Sequence, residues 1–431
     1  MINILGAGSI GQLLAHKLTD ASIKCQLIVR KLEDVPAKTW LLIDEVNSVQ
    51  TKQEHTFSLS EPQDSSPLEI LFVCVKAPDL KPALESIKHR LTPNSMLILF
   101  QNGMGHEKIA QHYVPLNHIF FASNTHGAFK SDRQTVHYAG KGKIDFGGYL
   151  QDSTADWFSD NLKQALDATW QPNMAHILWR KLMVNAVINP LTAIYNCNNG
   201  DLLTDDKKNS LLGLIDENKQ FAKQLQLPFA DDLKTIVYTV IEQTANNYSS
   251  MYQDVKAERI TEINAINGYL LSQMEKHQFH SPRNWRLWSQ FHIVYPPLQK
   301  QAQQKAQNFD ELQYHVTQRK GTERPFTGTY YQHTEQGTYH CVCCNTLLFT
   351  DKEKFDSGCG WPSFDRAKNK KSIVYQVDTS HNMHRVEILC AQCGAHLGHV
   401  FDDGPTETGQ RFCVNSVSLQ FEQYNPEKDN P

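Results

Sequence analysis

The cysteines of this 431-residue chain constrain its folding more than any other feature. Cys25, Cys74 and Cys197 are scattered in apolar or mixed contexts, where cysteine reads as a small core hydrophobe. The other seven crowd between Cys341 and Cys413. In a reducing compartment such crowding favours metal binding or catalysis over structural disulfides. Cys341-x-x-Cys344 and Cys390-x-x-Cys393 each present two thiolates about one tight turn apart. Two such knuckles complete a tetrahedral zinc site with Zn–S of about 2.3 Å and no open position, so the expected metal is structural. A pair of redox dithiols has the same spacing but lacks a thioredoxin-like strand–helix context here. Cys343 lies inside the first knuckle without an assigned role.

Cys359 and Cys413 remain. FDSGCGWPSF sets Cys359 between two glycines, which suggests a loop able to move. In QRFCVNS, a strand would project Arg411, Cys413 and Asn415 to one side, and the guanidinium would favour a Cys413 thiolate. His396 and His399, in CGAHLGHVF, have the chemistry to manage protons. A mobile thiol, an activated thiol and proton donors suggest a nucleophile with a resolving partner. Buried, inert cysteines are the alternative, and the residues alone leave both open.

The N-terminal part is different. Ile2–Leu5, Cys25–Val29, Ile70–Val75, Met96–Phe100 and Ile119–Ala122 read as buried strands, and Gln12–Leu18 and Pro82–His89 as helices between them. Such alternation predicts a parallel sheet with helices on both faces. GAGSIG places Gly6, Gly8 and Gly11 directly after a strand, at the start of a helix. That is the arrangement for a tight turn, close approach to a pyrophosphate, and helix–strand packing, with the helix N-terminus facing the phosphates. The second strand ends in Arg30 and Lys31, with Glu33 and Asp34 only later. Positive charge there suits a 2′-phosphate, so NADPH is expected rather than NADH.

Beyond about residue 155 strand signals stop and helical patterns follow, at Ala175–Tyr195, Leu211–Gln226 and Leu233–Gln273. In WRKLMVNAVINPLTAIYN, Lys181, Asn185 and Asn189 fall along one helix face among apolar neighbours. A polar stripe on a buried helix must find partners or line a site. A lysine in such surroundings is a plausible general acid with a lowered pKa; a buried hydrogen-bond network is the other reading.

LQKQAQQKAQ has almost nothing to bury and reads as a linker, after which Gly, Cys, His and aromatic residues rise. Short segments at Ser372–Val377 and Phe412–Phe421 suggest strands there. A chain this long implies two or three domains. The near balance of 42 basic and 46 acidic residues, net −4, gives no electrostatic reason to expect nucleic acid or an anionic membrane as partner. No apolar run reaches the roughly 18 residues of a membrane span. A first strand starting at Ile2 leaves no room for a removable signal peptide, and a cytoplasmic location is expected.

The first region resembles the ketopantoate reductase family through GAGSIG, VKAPDL, FQNGMG, WRKLMVNAVINPLTAIYNCNNG, ANNYSSM and ITEINAINGYL. The resemblance implies a Rossmann domain followed by a helical domain, with NADPH-dependent reduction of 2-dehydropantoate in the cleft between them. It assigns Lys181 as general acid. Glu262 would bond the substrate hydroxyl and help hold Lys181. Asn102 would sit beside the cofactor and orient the lysine, and Lys76 would lie near the cofactor. Asn185, Asn189, Asn247 and Ser250 would bind substrate, with Ser250 on its carboxylate. Pro78 and Pro82 fall where the family usually begins a regular helix, so the loop near Lys76 is expected to differ. Other members reduce other 2-keto acids. A non-catalytic NADP-binding or oligomerisation module is the alternative for this half, and the retained Lys181, Glu262 and glycines argue against it.

Residues 310–422 resemble methionine sulfoxide reductase of the B type through ERPFTGTY, FDSGCGWPSFD, CGAHLGHVFDDGP and GQRFCVNSVSLQF. The resemblance implies a mostly antiparallel β fold braced by zinc. Cys413 would attack the sulfoxide sulfur. His396 and His399 would assist protonation, Arg411 and Asn415 would support the site, and Trp361 would offer an aromatic wall to the methyl group. Cys359 would resolve the sulfenic acid to a disulfide that thioredoxin reduces. The partners implied are thioredoxin, oxidised proteins or peptides, and a small 2-keto acid.

The expected architecture is therefore multidomain. An α/β Rossmann domain (1–170) is followed by an all-α helical domain (171–297) and a linker (298–309). A mainly antiparallel β domain with a structural zinc site (310–424) and a tail (425–431) complete it.

Overall fold

The computed structural model describes residues 1–35, 39–46, 50–149, 154–294, 309–369, 372–378 and 385–424. All of the expected linker before Phe309, and the expected tail, lie outside the described residues. The chain divides into two compact units. One is Met1–Asn189 with Asn198–Asn247 and Thr261–Ser281; the other is Pro190–Cys197 with Tyr248–Ile260 and Pro282–Pro431.

The first unit is built on an eight-stranded sheet. Its strands are β1 (Ile2–Leu5), β2 (Cys25–Ile28), β5 (Ser58–Ser60), β6 (Ile70–Val73), β7 (Met96–Leu99), β8 (Ile119–Asn124), β11 (Ile144–Gly148) and β12 (Ala168–Trp170). They lie in the order β12-β11-β8-β7-β6-β1-β2-β5. From β5 to β8 every pairing is parallel, and β11 turns antiparallel to β8. The near-continuous apolar runs follow from burial on both faces. Ile4, Phe72, Ile98 and Phe146 serve one core, Leu71, Val73, Leu97 and Ile119 the other. Helices α1 (Ser9–Asp20), α2 (Leu80–Ile87), α3 (Glu107–Ala110) and α4 (Asp160–Ala165) belong to this unit. A 3-10 turn, Ala77–Asp79, runs into α2.

Two features depart from the sequence pattern. β12 continues the sheet after the point where strand signals fade; it is only three residues long, too short to show alternation. A second sheet, order β4-β3-β10-β9, is formed by β3 (Thr39–Asp44), β4 (Thr51–Thr56), β9 (Gly127–Lys130) and β10 (Thr135–Gly140). The TKQEHT of β4 is almost wholly exposed and carries no apolar signal.

The helical segment comprises α5 (Met174–Tyr195), α6 (Asp205–Gln224), α7 (Leu233–Gln243), α8 (Ser250–Lys256), α9 (Tyr269–Lys276) and α10 (Pro282–Val294). The continuous pattern expected over Leu233–Gln273 is broken twice. Ser249 caps a fresh helix by accepting from the Tyr252 amide at 3.0 Å, and a π-turn at Asn264–Gly268 precedes α9.

The second unit carries two antiparallel sheets. The smaller, β14-β13-β21, joins β13 (Gly337–Cys341), β14 (Leu347–Thr350) and β21 (Leu419–Gln423). The larger is β15-β16-β20-β19-β18-β17. Its strands are Lys354–Phe355, Ser363–Phe364, Ile373–Asp378, Arg385–Cys390, His396–Phe401 and Arg411–Val414, numbered β15 to β20 in chain order. Tyr339, Phe349, Phe364, Leu397, Phe412 and Val414 fill a common core. A short helix, α11 (Glu311–Arg319), starts on Asp310, whose carboxylate accepts from the Gln313 amide at 2.7 Å.

Candidate active sites and metal centre

The two Cys-x-x-Cys knuckles close in the same way. Asn345 and Gly394 adopt left-handed backbone, and each donates its amide to the carbonyl of the knuckle's first cysteine at 2.8 Å. One knuckle links β13 to β14, the other β18 to β19. Their four Sγ atoms, from Cys341, Cys344, Cys390 and Cys393, lie within 4.8 Å of one another. Cys341 is 3.6 Å from Cys393, and Cys344 is 3.5 Å from Cys390. Four sulfurs around a tetrahedral zinc would be roughly 3.8 Å apart. The donor set therefore fits the ion, and three of the four residues are fully buried, as a closed structural site requires. Cys343 is not in this set; its sulfur accepts from Gln318 Nε2 at 3.7 Å.

Cys413 sits mid-sheet on β20. Its register partners are Ser363 on β16 and His399 on β19. His399 in turn opposes Glu387 on β18. Directly opposed residues share a face, so Ser363, Cys413, His399 and Glu387 form one polar row across the sheet. A bulge in the β18–β19 pairing breaks the register between Gly398 and His396. The extra residue re-aims His396, and its Nδ1 meets Glu387 Oε1 at 2.7 Å with both groups buried. Lys320 holds the other carboxylate oxygen at 2.7 Å. His396 Nε2 is buried with no hydrogen-bond partner among the described residues. His399 Nε2 meets Asp378 Oδ2 at 2.8 Å, and Arg385 holds that same oxygen at 2.6 Å. Burial pushes the His399 pKa down, against the pull of Asp378.

Cys359 faces Cys413, with Sγ atoms 3.7 Å apart. Ser357 Oγ donates to Cys359 at 3.0 Å, and Ser363 Oγ is 3.5 Å away. The expected Cys413 thiolate is not what this geometry favours. Arg411 does pull the Cys413 pKa down, but the hydrogen bond with Cys359 and burial push it well above the ordinary range. The same bond, helped by both serines, draws Cys359 down to about 4. The facing thiols are close enough to share a proton. Arg411 is engaged by Asp403 through two bonds of 2.8 Å.

β20 ends at Val414, but Asn415 stays extended and its amide donates to the Leu397 carbonyl at 2.8 Å, in register with the β19–β20 pairing, before a 3-10 turn follows. Its buried side chain accepts from the Glu323 amide at 3.0 Å and donates to Leu397 O at 3.0 Å. Trp361 is half-buried, and its indole N–H donates to Glu323 O at 3.1 Å. Glu323 itself accepts from the Ser416 and Val417 amides at 2.6 and 3.0 Å. Sequence reasoning passed over Glu323, Glu387, Asp378, Ser357 and Ser363. A charged residue inside an otherwise strand-like segment, as at Glu387 in RVEILC, was the available signal.

In the first unit, the glycine turn leads from β1 into α1. A Cβ on Gly11 would lie 2.0 Å from Gly6 O, so helix and turn touch there. A Cβ on Gly8 would meet nothing within 4 Å, and Gly8 caps α1 with no side chain of its own. The helix N-terminus thus faces open space with free amides, which fits a dinucleotide phosphate. Arg30 and Lys31 are both exposed, and Lys31 pairs with Glu33 at 3.1 Å. Lys76 is exposed, at the N-cap of the 3-10 turn.

Lys181, on α5, donates to the Asn124 carbonyl at 2.9 Å. Burial draws its pKa down to about 8, with Glu262 and Asp145 opposing. Glu262 is buried and bridges elsewhere: Oε2 accepts from Asn102 Nδ2 at 2.8 Å and Oε1 from the Ala77 amide at 3.1 Å. Its influence on Lys181 is therefore that of a nearby charge rather than of a direct bond, and Asn102 reaches the carboxylate instead of the lysine. Asn185 is half-buried and Asn189 buried. Asn247 is exposed, and its carbonyl accepts from the Asn199 amide at 2.9 Å. Ser250, in the second unit, is the exposed first residue of α8.

Family models match along the chain. Ketopantoate reductase PanE/ApbA covers residues 2–151, its C-terminal counterpart 173–294, and the SelR domain 309–423. Over 124 residues the chain is 58% identical to the peptide methionine sulfoxide reductase MsrB of Hahella chejuensis, covering 29% of this chain and 89% of that protein. A solved structure of D-mandelate dehydrogenase with NADH and anilino(oxo)acetate aligns at TM-score 0.60 and 22% identity, over 68% of this chain and 97% of its own. A probable 2-dehydropantoate 2-reductase from Bacillus subtilis aligns at TM-score 0.54 and 26% identity, over 67% and 98%.

Proposed function

The chain belongs to the ketopantoate reductase PanE/ApbA family through residues 2–151 and 173–294 and to the peptide methionine sulfoxide reductase MsrB family through 309–423, and on that premise we propose that it is a bifunctional oxidoreductase of the cytoplasm. Its C-terminal part reduces methionine (R)-sulfoxide in proteins with thioredoxin as reductant. Its N-terminal part reduces 2-dehydropantoate to (R)-pantoate with NADPH.

The observation that carries the first activity is the 3.7 Å approach of Cys359 and Cys413. With substrate present, the Cys413 proton passes to the sulfoxide oxygen as the sulfur attacks the sulfoxide sulfur. A second proton reaches that oxygen from the histidine pair and the S–O bond breaks with loss of water, leaving a sulfonium joined to Cys413. Water then attacks the Cys413 sulfur, the bond to the methionine sulfur breaks, methionine leaves, the proton returns to the histidine pair and Cys413 is left as a sulfenic acid. Cys359, already inclined to ionise, attacks that sulfur; a disulfide forms and the oxygen departs as water. Thioredoxin returns both thiols. Glu387 and Asp378 fix the tautomers of His396 and His399, as carboxylates do for imidazoles that move protons. The four-thiolate cluster holds zinc and takes no part in electron transfer.

For the second activity, nicotinamide supplies hydride to the keto carbon when it is bound. Lys181 supplies the proton to the carbonyl oxygen, and its pKa of about 8 suits the task. Asn102 and Glu262 order the wall beside it. Asn185, Asn189 and Asn247 hold the 2-keto acid, and Arg30 and Lys76 favour NADPH over NADH.

The test is a pair of assays on the intact chain. Cys413→Ser should abolish single-turnover sulfoxide reduction. Cys359→Ser should release one methionine per chain and then stop recycling with thioredoxin. Continued recycling would remove Cys359 from the resolving role. Ketopantoate should oxidise NADPH; binding of NADPH without oxidation would reduce the N-terminal part to a nucleotide-binding module.

A further inference from the structure

We propose that Phe326 is a recognition residue for the polypeptide that flanks an oxidised methionine, forming an apolar shelf beside the Cys359–Cys413 pair. This rests on the sulfoxide reductase reading and goes beyond it in naming a specificity-determining residue and its preference: an apolar residue beside the oxidised methionine.

Phe326 is 62% exposed, the most exposed of the large hydrophobic side chains among the described residues. It also holds φ at +68°, a left-handed conformation that a bulky residue rarely adopts. Both features cost stability, and strain of this kind collects at functional sites. The surrounding structure enforces it. The Phe326 amide donates to Gly360 O at 2.8 Å. Pro325 packs so closely that a Cβ on Gly360 would lie 2.6 Å from its Cβ. At the other end of the segment, Glu323 is fastened to the Ser416 and Val417 amides, just beyond β20, and its carbonyl holds the Trp361 indole. The segment from Glu323 to Phe326 is therefore tied both to the loop bearing Cys359 and Trp361 and to the chain leaving Cys413.

Nothing in this bracing buries the phenyl ring. It turns outward, and Tyr331 meets it edge-on at 5.4 Å. The result is a rigid apolar ledge carried on the same segment that sets the Trp361 wall. A sulfoxide seated between Trp361 and Cys413 does not need such a ledge. The next residue of a substrate chain, about 3.3 Å further per residue when extended, does.

The test uses the full-length protein with dithiothreitol as reductant, so that thioredoxin docking plays no part. The substrates are free L-methionine (R)-sulfoxide and a short acetylated peptide with leucine beside methionine (R)-sulfoxide. Phe326→Ala should lower kcat/KM for the peptide about tenfold, through KM, the scale expected when a large apolar contact is lost. The free sulfoxide should change by less than about twofold on the same scale, and Phe326→Trp should restore the peptide. Equal losses on both substrates, or no loss on the peptide, would overturn the assignment. So would a defect that appears only when thioredoxin replaces dithiothreitol, since the ledge would then serve the reductant. A wild-type protein inert on both sulfoxides would refute the reductase reading itself, and this inference with it.

Discussion

At the level of single residues, Lys181 joins sequence to chemistry most directly. It lies on a polar stripe of a buried helix, so the ammonium is desolvated and its pKa comes down to about 8. A general acid acts only while protonated. Rate should therefore be flat below that value and decline as pH rises through it, by about tenfold per unit. A pH profile of kcat/KM for keto-acid reduction checks this, and a profile flat through pH 9 (about one unit above that pKa) would dismiss Lys181 as the donor. Cys413 teaches the converse lesson. Sequence places a guanidinium two residues away and suggests a thiolate. The fold adds a second thiol 3.7 Å off, and its hydrogen bond pushes the Cys413 pKa up against the pull of the guanidinium. Such a term depends on a residue far away in the chain, so no local spacing discloses it.

Among elements, those with strong periodicity were legible and those built on polar or very short segments were not. The parallel strands from β1 to β8 announce themselves as apolar runs because both of their faces are buried. β4 is polar along its length and β12 has three residues, so neither has a pattern to read. The zinc knuckles were legible because metal geometry restricts their spacing. The carboxylates behind His396 and His399 were not, because a bulge and a hairpin bring them together. The turn between β1 and α1 makes its own prediction. Gly11→Ala places a methyl 2.0 Å from Gly6 O, so the turn must open. NADPH affinity measured by fluorescence titration should fall by at least about tenfold, equivalent to about 1.4 kcal/mol, while sulfoxide reduction is untouched. Retained affinity would mean that the turn has room to relax.

For the molecule as a whole, the residues proposed for the two chemistries do not overlap. Lys181→Ala should therefore abolish keto-acid reduction and leave sulfoxide reduction at its original rate; Cys413→Ser should do the reverse. Both assays on both variants decide the matter, and a cross-effect larger than about twofold, equivalent to about 0.4 kcal/mol, would establish coupling between the two chemistries. No helix among the described residues is long and apolar enough to cross a membrane. The family regions and the compact units do not coincide: Pro282–Val294 falls in the ketopantoate reductase region by sequence and in the second unit by packing. Fragments cut on sequence similarity alone would divide that unit.

The four clustered sulfurs turn part of this chain into a ring. With zinc held, Cys344 and Cys390 are tied to one ion, and the segment between them, Cys359 included, is anchored at both ends. A protease that nicks this segment once opens the ring but leaves the two pieces tied to each other through the ion. The clipped protein should migrate as one species on a native gel and come apart only when a chelator and mild denaturant are added together. Separation without the chelator would show that the clasp was never shut.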